Sequence, residues 1–223
     1  MVKWLGHASF EVKLSDKTIL FDPWFDQKPE EMRRLVPPAI TANQVKSADL
    51  VFVSHEHFDH CDSGDIDLIV RLTNAHVIAP QSALSRLILP PRNRMQAVSG
   101  DSFSYRGLDV KVVEARHPQS SGAVGFVVSG GGRSVYFAGD TYDYYGLSGI
   151  NVDVALLPIG GTFTMDSIGS IVALKKIKCK YVIPMHYDTF DLIKADVKVW
   201  AKQVRRETKA EPVILQVGQT FEF

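Results

Sequence analysis

Leu50-Val51-Phe52-Val53-Ser54-His55-Glu56-His57-Phe58-Asp59-His60-Cys61 is the stretch on which the reading of this chain turns. Four apolar residues in succession, two of them β-branched, predict a strand buried on both faces. Ser54 then opens the loop that leaves its C-terminal end. The next six residues hold three histidines, one aspartate and one glutamate. Imidazole nitrogens and carboxylate oxygens are the donors that suit zinc and similar divalent ions. His55 and His57, two apart in extended backbone, point to one side. Asp59 and His60 are neighbours and aim differently, as two adjacent metals require. The spacing is not the i, i+4 pair of a helical zinc protease. A solvated polar loop explains one isolated histidine; it does not explain four ligand-type residues in six positions directly after a buried strand.

Three segments elsewhere repeat this grammar. Asp109 to Glu114 leads to Arg116-His117, Ser134 to Ala138 leads to Gly139-Asp140-Thr141, and Tyr181 to Ile183 leads to Pro184-Met185-His186. Each places a ligand-type residue just past the C-terminal end of an apolar strand, the edge where loops of α/β proteins converge. Together the seven residues His55, His57, Asp59, His60, His117, Asp140 and His186 suffice for two metals with an open position for water.

Working outward, further strands are predicted at Thr18 to Phe21, His76 to Ala79, Leu108 to Val113, Ala123 to Val128, Val152 to Leu157 and Val213 to Gln216. Gly130-Gly131-Gly132 reads as a hairpin turn. Helices are predicted at Ile66 to Leu72, Ser82 to Leu89, Ser167 to Lys176 and Val197 to Thr208. The mixture implies an α/β fold of sheet layers covered by helices, organised as one domain over residues 1–223. A rough two-fold repetition divides the chain near Glu114. His76 precedes its strand and is expected to be structural. Glu56 is expected to turn away from its ligand neighbours, and Cys61 to be a small buried residue.

Composition narrows the partners. Lys plus Arg equals Asp plus Glu at 25 each, so no net field draws in nucleic acid or an anionic membrane. Two cysteines argue against a disulfide framework and for a reducing compartment. Met1 to His7 lacks the features of a signal peptide, and no window approaches the roughly 18 apolar residues of a membrane span. A cytoplasmic protein is expected, with a small-molecule substrate and with homo-oligomerisation left open.

The His-x-His-x-Asp-His run followed by His, Asp and His at strand ends resembles the metallo-β-lactamase superfamily. Trp4-Leu5-Gly6-His7-Ala8-Ser9-Phe10, Leu20-Phe21-Asp22-Pro23, Leu157 to Met165 and Pro184-Met185-His186-Tyr187 resemble one branch of it, the metal-dependent hydrolases similar to L-ascorbate-6-phosphate lactonase. That resemblance implies a four-layer αβ/βα sandwich of two mixed sheets with outer helices. It implies that His55, His57 and His117 hold one metal, that Asp59, His60 and His186 hold the other, and that Asp140 bridges them. Zinc is the expected ion, with manganese and iron compatible. The branch often has Asn at the position of Thr162 and an acidic helix start where this chain has Asp166-Ser167-Ile168, which weakens any transfer of its substrate. Flavodiiron-type relatives have Glu where His57 stands, so His57 argues for hydrolysis over redox chemistry.

Two metals about 3.5–4 Å apart lower the pKa of a shared water toward neutrality. Asp59 is expected to ligate and to orient that nucleophile, and His7, the second catalytic candidate, to lie close to the site and contact substrate, with a supporting core histidine as the alternative. Thr164 and Met165 are expected to line the substrate pocket. The chemistry expected is hydrolysis of a small ester, lactone or phosphorylated metabolite. A phosphodiesterase or nuclease on the same site is the alternative, and a metal-binding regulatory protein with little turnover is the second.

Overall fold

The structure is a computed structural model that describes residues 1–26 and 32–223. Its strands fall into two mixed sheets. The first contains β1 (Val2–Gly6), β2 (Ser9–Leu14), β3 (Lys17–Phe21), β4 (Leu50–Phe52), β5 (His76–Ala79), β6 (Arg94–Gln96) and β14 (Thr220–Phe221), in the order β14-β1-β2-β3-β4-β5-β6. The second contains β7 (Ser102–Tyr105), β8 (Leu108–Glu114), β9 (Val124–Gly130), β10 (Arg133–Phe137), β11 (Asn151–Pro158), β12 (Lys178–Met185) and β13 (Glu211–Pro212), in the order β13-β12-β11-β10-β9-β8-β7.

The two sheets share one pairing grammar. From β14 to β6, three antiparallel pairings are followed by three parallel ones. From β7 to β13 the same succession recurs. The two-fold repetition is therefore real, but it divides between β6 and β7 rather than near Glu114. Strands β1, β3, β4, β8, β10, β11 and β12 consequently deliver their C-terminal ends to one edge of the sandwich.

β4 shows how the sequence builds the layers. Leu50 and Phe52 join the large core cluster with Phe21, Phe126 and Phe137, while Val51 and Val53 join a separate cluster with Ile66, Ile69 and Val70. Those last three lie on α1 (Ser63–Thr73), so the helix covers the outer face of the first sheet. Strand alternation sends successive residues to opposite faces, and each fully buried apolar side chain contributes about 1.5–3 kcal/mol. On the second sheet, α3 (Ser167–Leu174) and α4 (Val197–Glu207) pack together, and Trp200 Nε1 donates to Ser170 Oγ at 2.8 Å.

Several expectations need correction. Val213 to Gln216 is not a strand: Val213 N donates to Val182 O, and the chain then crosses to the first sheet, where Gly218 N meets Trp4 O. Ser82 to Leu89 is helical only in the short α2 (Gln81–Leu84), with Pro90 and Pro91 following close behind. The Gly131-Gly132 turn is as expected: both residues have positive φ, +59° and +75°, between paired Gly130 and Arg133. Both cysteines are free thiols. Among the described residues no helix is long and apolar enough to cross a membrane.

Candidate metal centre

All seven predicted ligands converge at the shared strand edge. His55 and His60 are fully buried, and His186, Asp140, His117 and Asp59 are nearly so. The loop after β4 is held tight, with His60 N and Cys61 N both donating to His57 O. It ends at Asp62, whose carboxylate caps α1 by accepting from Asp65 N at 2.8 Å. His186 follows β12 and His7 follows β1, and His186 N donates to His7 O. Non-glycine residues at positive φ cost about 1–3 kcal/mol each and cluster at functional sites. His7 (+55°), Asp22 (+40°) and His186 (+54°) all sit there.

The hydrogen bonds fix which ring nitrogens face inward. His60 Nδ1 donates to Asp22 Oδ2 at 2.6 Å. His55 Nδ1 donates to Ser54 Oγ at 2.9 Å, and Ser54 Oγ donates to Asp22 Oδ2. Ser54 N also donates to Asp22 Oδ1 at 2.7 Å. His57 Nε2 donates to Gln119 O at 3.2 Å. With those protons committed outward, His55 Nε2, His57 Nδ1 and, once its second proton is given up, His60 Nε2 present lone pairs to the centre.

Lone pairs so placed need a cation between them. His57 Nδ1 lies 3.0 Å from His55 Nε2 and 3.2 Å from His117 Nε2, and Asp140 Oδ2 lies 3.9 Å from both His55 Nε2 and His117 Nε2. Four donors about 2.1 Å from one tetrahedral ion stand about 3.4 Å apart, the scale of these separations. The second set repeats it: His60 Nε2 to Asp140 Oδ1 3.2 Å, His186 Nε2 to Asp140 Oδ2 3.3 Å, and Asp59 Oδ2 to His186 Nε2 3.7 Å and His60 Nε2 3.8 Å. Asp140 thus faces both sets. His60 Nε2, His186 Nε2 and Asp140 Oδ1 are buried without a hydrogen-bond partner, an arrangement that divalent ions would satisfy. The residues present fit two such ions.

The charges are strongly coupled. Burial opposes charge on Asp59 and Asp140, yet the facing histidines hold both carboxyls well below the usual range. Burial likewise opposes charge on His186, but Asp140 and Asp59 raise its pKa to about 9, and Asp140, Asp59 and Asp22 raise His60 well above its usual value. Burial, with the His186 charge beside it, pushes His7 down to about 3 and keeps it neutral. Because His60 and His186 hold protons in the metal-free protein, ion binding must displace them. Metal uptake is therefore expected to release protons at pH 7, and affinity to weaken as pH falls below about 9. Titration in two buffers of different ionisation enthalpy measures this, and pH-independent uptake would contradict it.

His7 Nε2 lies 3.1 Å from Asp59 Oδ2, and its ring is 4.2 Å from that of His186, so the structure places it beside the second ligand set. Thr164 and Met165 lie elsewhere than expected. Both are buried, Met165 N donates to Thr141 O, and it is their neighbour Phe163 that reaches the cavity wall. Glu56 turns away from the metal-facing atoms, but it accepts from Ser120 Oγ at 2.7 Å and Ser121 N at 3.3 Å, tying the His117 loop to the first ligand run. The Cys61 thiol, buried and pushed up to about 12, approaches Ala83 O and not the centre. His76 opens β5 at the opposite strand end, against the Tyr105 hydroxyl. His76→Ala is expected to leave metal content unchanged by elemental analysis.

Asp22 was given no role from the sequence, although it stands in the Leu20-Phe21-Asp22-Pro23 segment that carries part of the family resemblance. Its partners come from β4 and the loop beyond, which sequence spacing does not reveal.

The Beta-lactamase superfamily domain model matches residues 1–186. A UPF0173 metal-dependent hydrolase of Staphylothermus marinus is 34% identical over 237 residues, covering 100% of this chain and 99% of the relative. Another, from Metallosphaera sedula, is 33% identical over 232 residues, covering 99% and 98%. A metallo hydrolase structure from Ignicoccus hospitalis superposes with a TM-score of 0.82 at 29% identity, covering 100% of this chain and 98% of that one. The match over residues 1–186 and the full-length relatives show that this chain belongs to the metallo-β-lactamase superfamily and, within it, to the UPF0173 metal-dependent hydrolase family.

Proposed function

We propose that the protein is a metal-dependent hydrolase that cleaves a small ester, lactone or phosphorylated metabolite. The observation that carries the reading is the place of Asp140, between a three-histidine set and an Asp59, His60, His186 set. His55, His57 and His117 would hold one divalent ion, Asp59, His60 and His186 a second, and Asp140 both, with zinc the ion best matched to these donors. Bound there, such ions supply Lewis acidity and a more acidic water.

The chain's own groups do the rest. His7, neutral through burial, donates from Nε2 to Asp59 Oδ2 and fixes that carboxylate. Asp59 lines the cavity, where its carboxylate would accept a proton from the attacking water and return it to the leaving oxygen. Asp22 and Ser54 hold His55 and His60 in the tautomers that keep their Nε2 lone pairs inward.

The test is a panel of lactones, aryl esters, phosphomonoesters and a bis-aryl phosphodiester given to metal-loaded protein. Turnover of a carboxylic or phosphoric ester, abolished by a chelator and restored by metal, is expected. Asp59→Asn should lower kcat by about 10²–10⁴-fold. Failure across the whole panel would sink the assignment.

A further inference from the structure

The cavity at the centre encloses about 240 Å³, below the roughly 300–1,000 Å³ common for drug-sized ligands. One side of it is the ligand cluster. The other is Met32, Phe58, Phe163 and Phe190, and the Gln119 amide is the one further polar side chain among the described lining residues.

This wall is braced. Trp24 lies behind it, fully buried, with its ring centroid 5.7 Å from Phe58 and 5.8 Å from Phe190. Phe58 and Phe190 are 6.4 Å apart, and Phe190 meets His7 edge-on at 5.4 Å. Aromatic rings locked against one another form a preformed apolar surface. Among the described residues no lysine or arginine lines the cavity. Arg34 does not line it: its guanidinium lies over Trp24 at 4.1 Å, Nη1 donates to Trp24 O and Nε to Val36 O, and Nη2 is buried without a partner. A substrate phosphate or carboxylate packed on this wall would be desolvated with no cationic partner among the described lining residues, which is costly.

We infer that the substrate is a small uncharged carbonyl ester or lactone whose aryl or branched alkyl substituent packs on Phe58, Phe163 and Phe190. The inference rests on the hydrolase reading and narrows it against phosphorylated metabolites. In the reaction the water oxygen bonds to the carbonyl carbon and the bond from that carbon to the leaving oxygen breaks. The leaving oxygen takes a proton, so ester and water give a carboxylic acid and an alcohol.

Phenyl acetate, 4-tert-butylphenyl acetate and 4-phosphonophenyl acetate test it on metal-loaded protein, since the last two differ mainly in charge. The phosphono ester is expected to show kcat/KM at least about 100-fold below the tert-butyl ester. Phe58→Ala, at a partly buried position, should raise KM for phenyl acetate about 10-fold. Equal or better turnover of the phosphono ester would overturn the inference, as would an unaltered KM in Phe58→Ala. If no ester turns over, the hydrolase reading fails, and the pocket is then read by calorimetry with phenylacetone and 4-phosphonophenylacetone. Tighter binding of the neutral ketone by 10-fold or more supports the inference; tighter binding of the anionic one refutes it.

Discussion

Replacing Asp140 with alanine is expected to remove metal and turnover together. Among the described residues Asp140 is the one carboxylate within 4 Å of both ligand sets, 3.2 Å from His60 Nε2 on one side and 3.9 Å from His55 Nε2 on the other. Losing it would take a donor from each of the two proposed ions and leave His60 and His186 without their principal counter-charge. Lewis-acid stabilisation is worth several kcal/mol, so kcat/KM should fall by at least about 10²–10³-fold. Asp140→Asn keeps the shape and separates charge from packing. Metal content by mass spectrometry and circular dichroism on both variants check the prediction, which fails if Asp140→Ala keeps full metal and full activity.

The second large effect is on stability. Phe137 is fully buried, stacks on Phe21 at 4.8 Å and meets Phe10 at 6.5 Å, joining the two sheets just before Gly139 and Asp140. Phe137→Ala should cost about 3–5 kcal/mol through lost burial and the cavity left behind. Total stabilities are about 5–15 kcal/mol, so this is a sizeable fraction. Chemical denaturation of the chelated protein measures it without the contribution of bound metal. A loss under about 1 kcal/mol would mean that the inter-sheet core repacks more freely than the structure implies. Gly160 gives a local contrast: an added Cβ would lie 2.1 Å from His186 O, so even alanine there should disturb the loop carrying that histidine.

What the sequence revealed and what it concealed follow from how each feature is encoded. Leu50 to His60 was legible because a buried strand and its ligand loop are contiguous. His117, Asp140 and His186 were legible because each repeats strand followed by ligand. Asp22 was not, because its contacts to Ser54 and His60 cross 32 and 38 residues of chain. The stretch Ser9 to Leu14 was passed over although Phe10, Val12 and Leu14 alternate with Glu11 and Lys13. Val213 to Leu215 misled because apolar residues that bridge two sheets read like a strand within one. The pocket wall was displaced by one residue, from Thr164 to Phe163, because the Gly161 turn, closed by Phe163 N and Thr164 N onto Gly161 O, decides which side chain faces the cavity.

Anomalous diffraction from crystals of metal-loaded protein, recorded at the metal edge, tests the central claim most directly. The account predicts two peaks per chain on either side of the Asp140 carboxylate, one among His55, His57 and His117 and one among Asp59, His60 and His186. A single peak, or density away from Asp140, would contradict the two-metal centre.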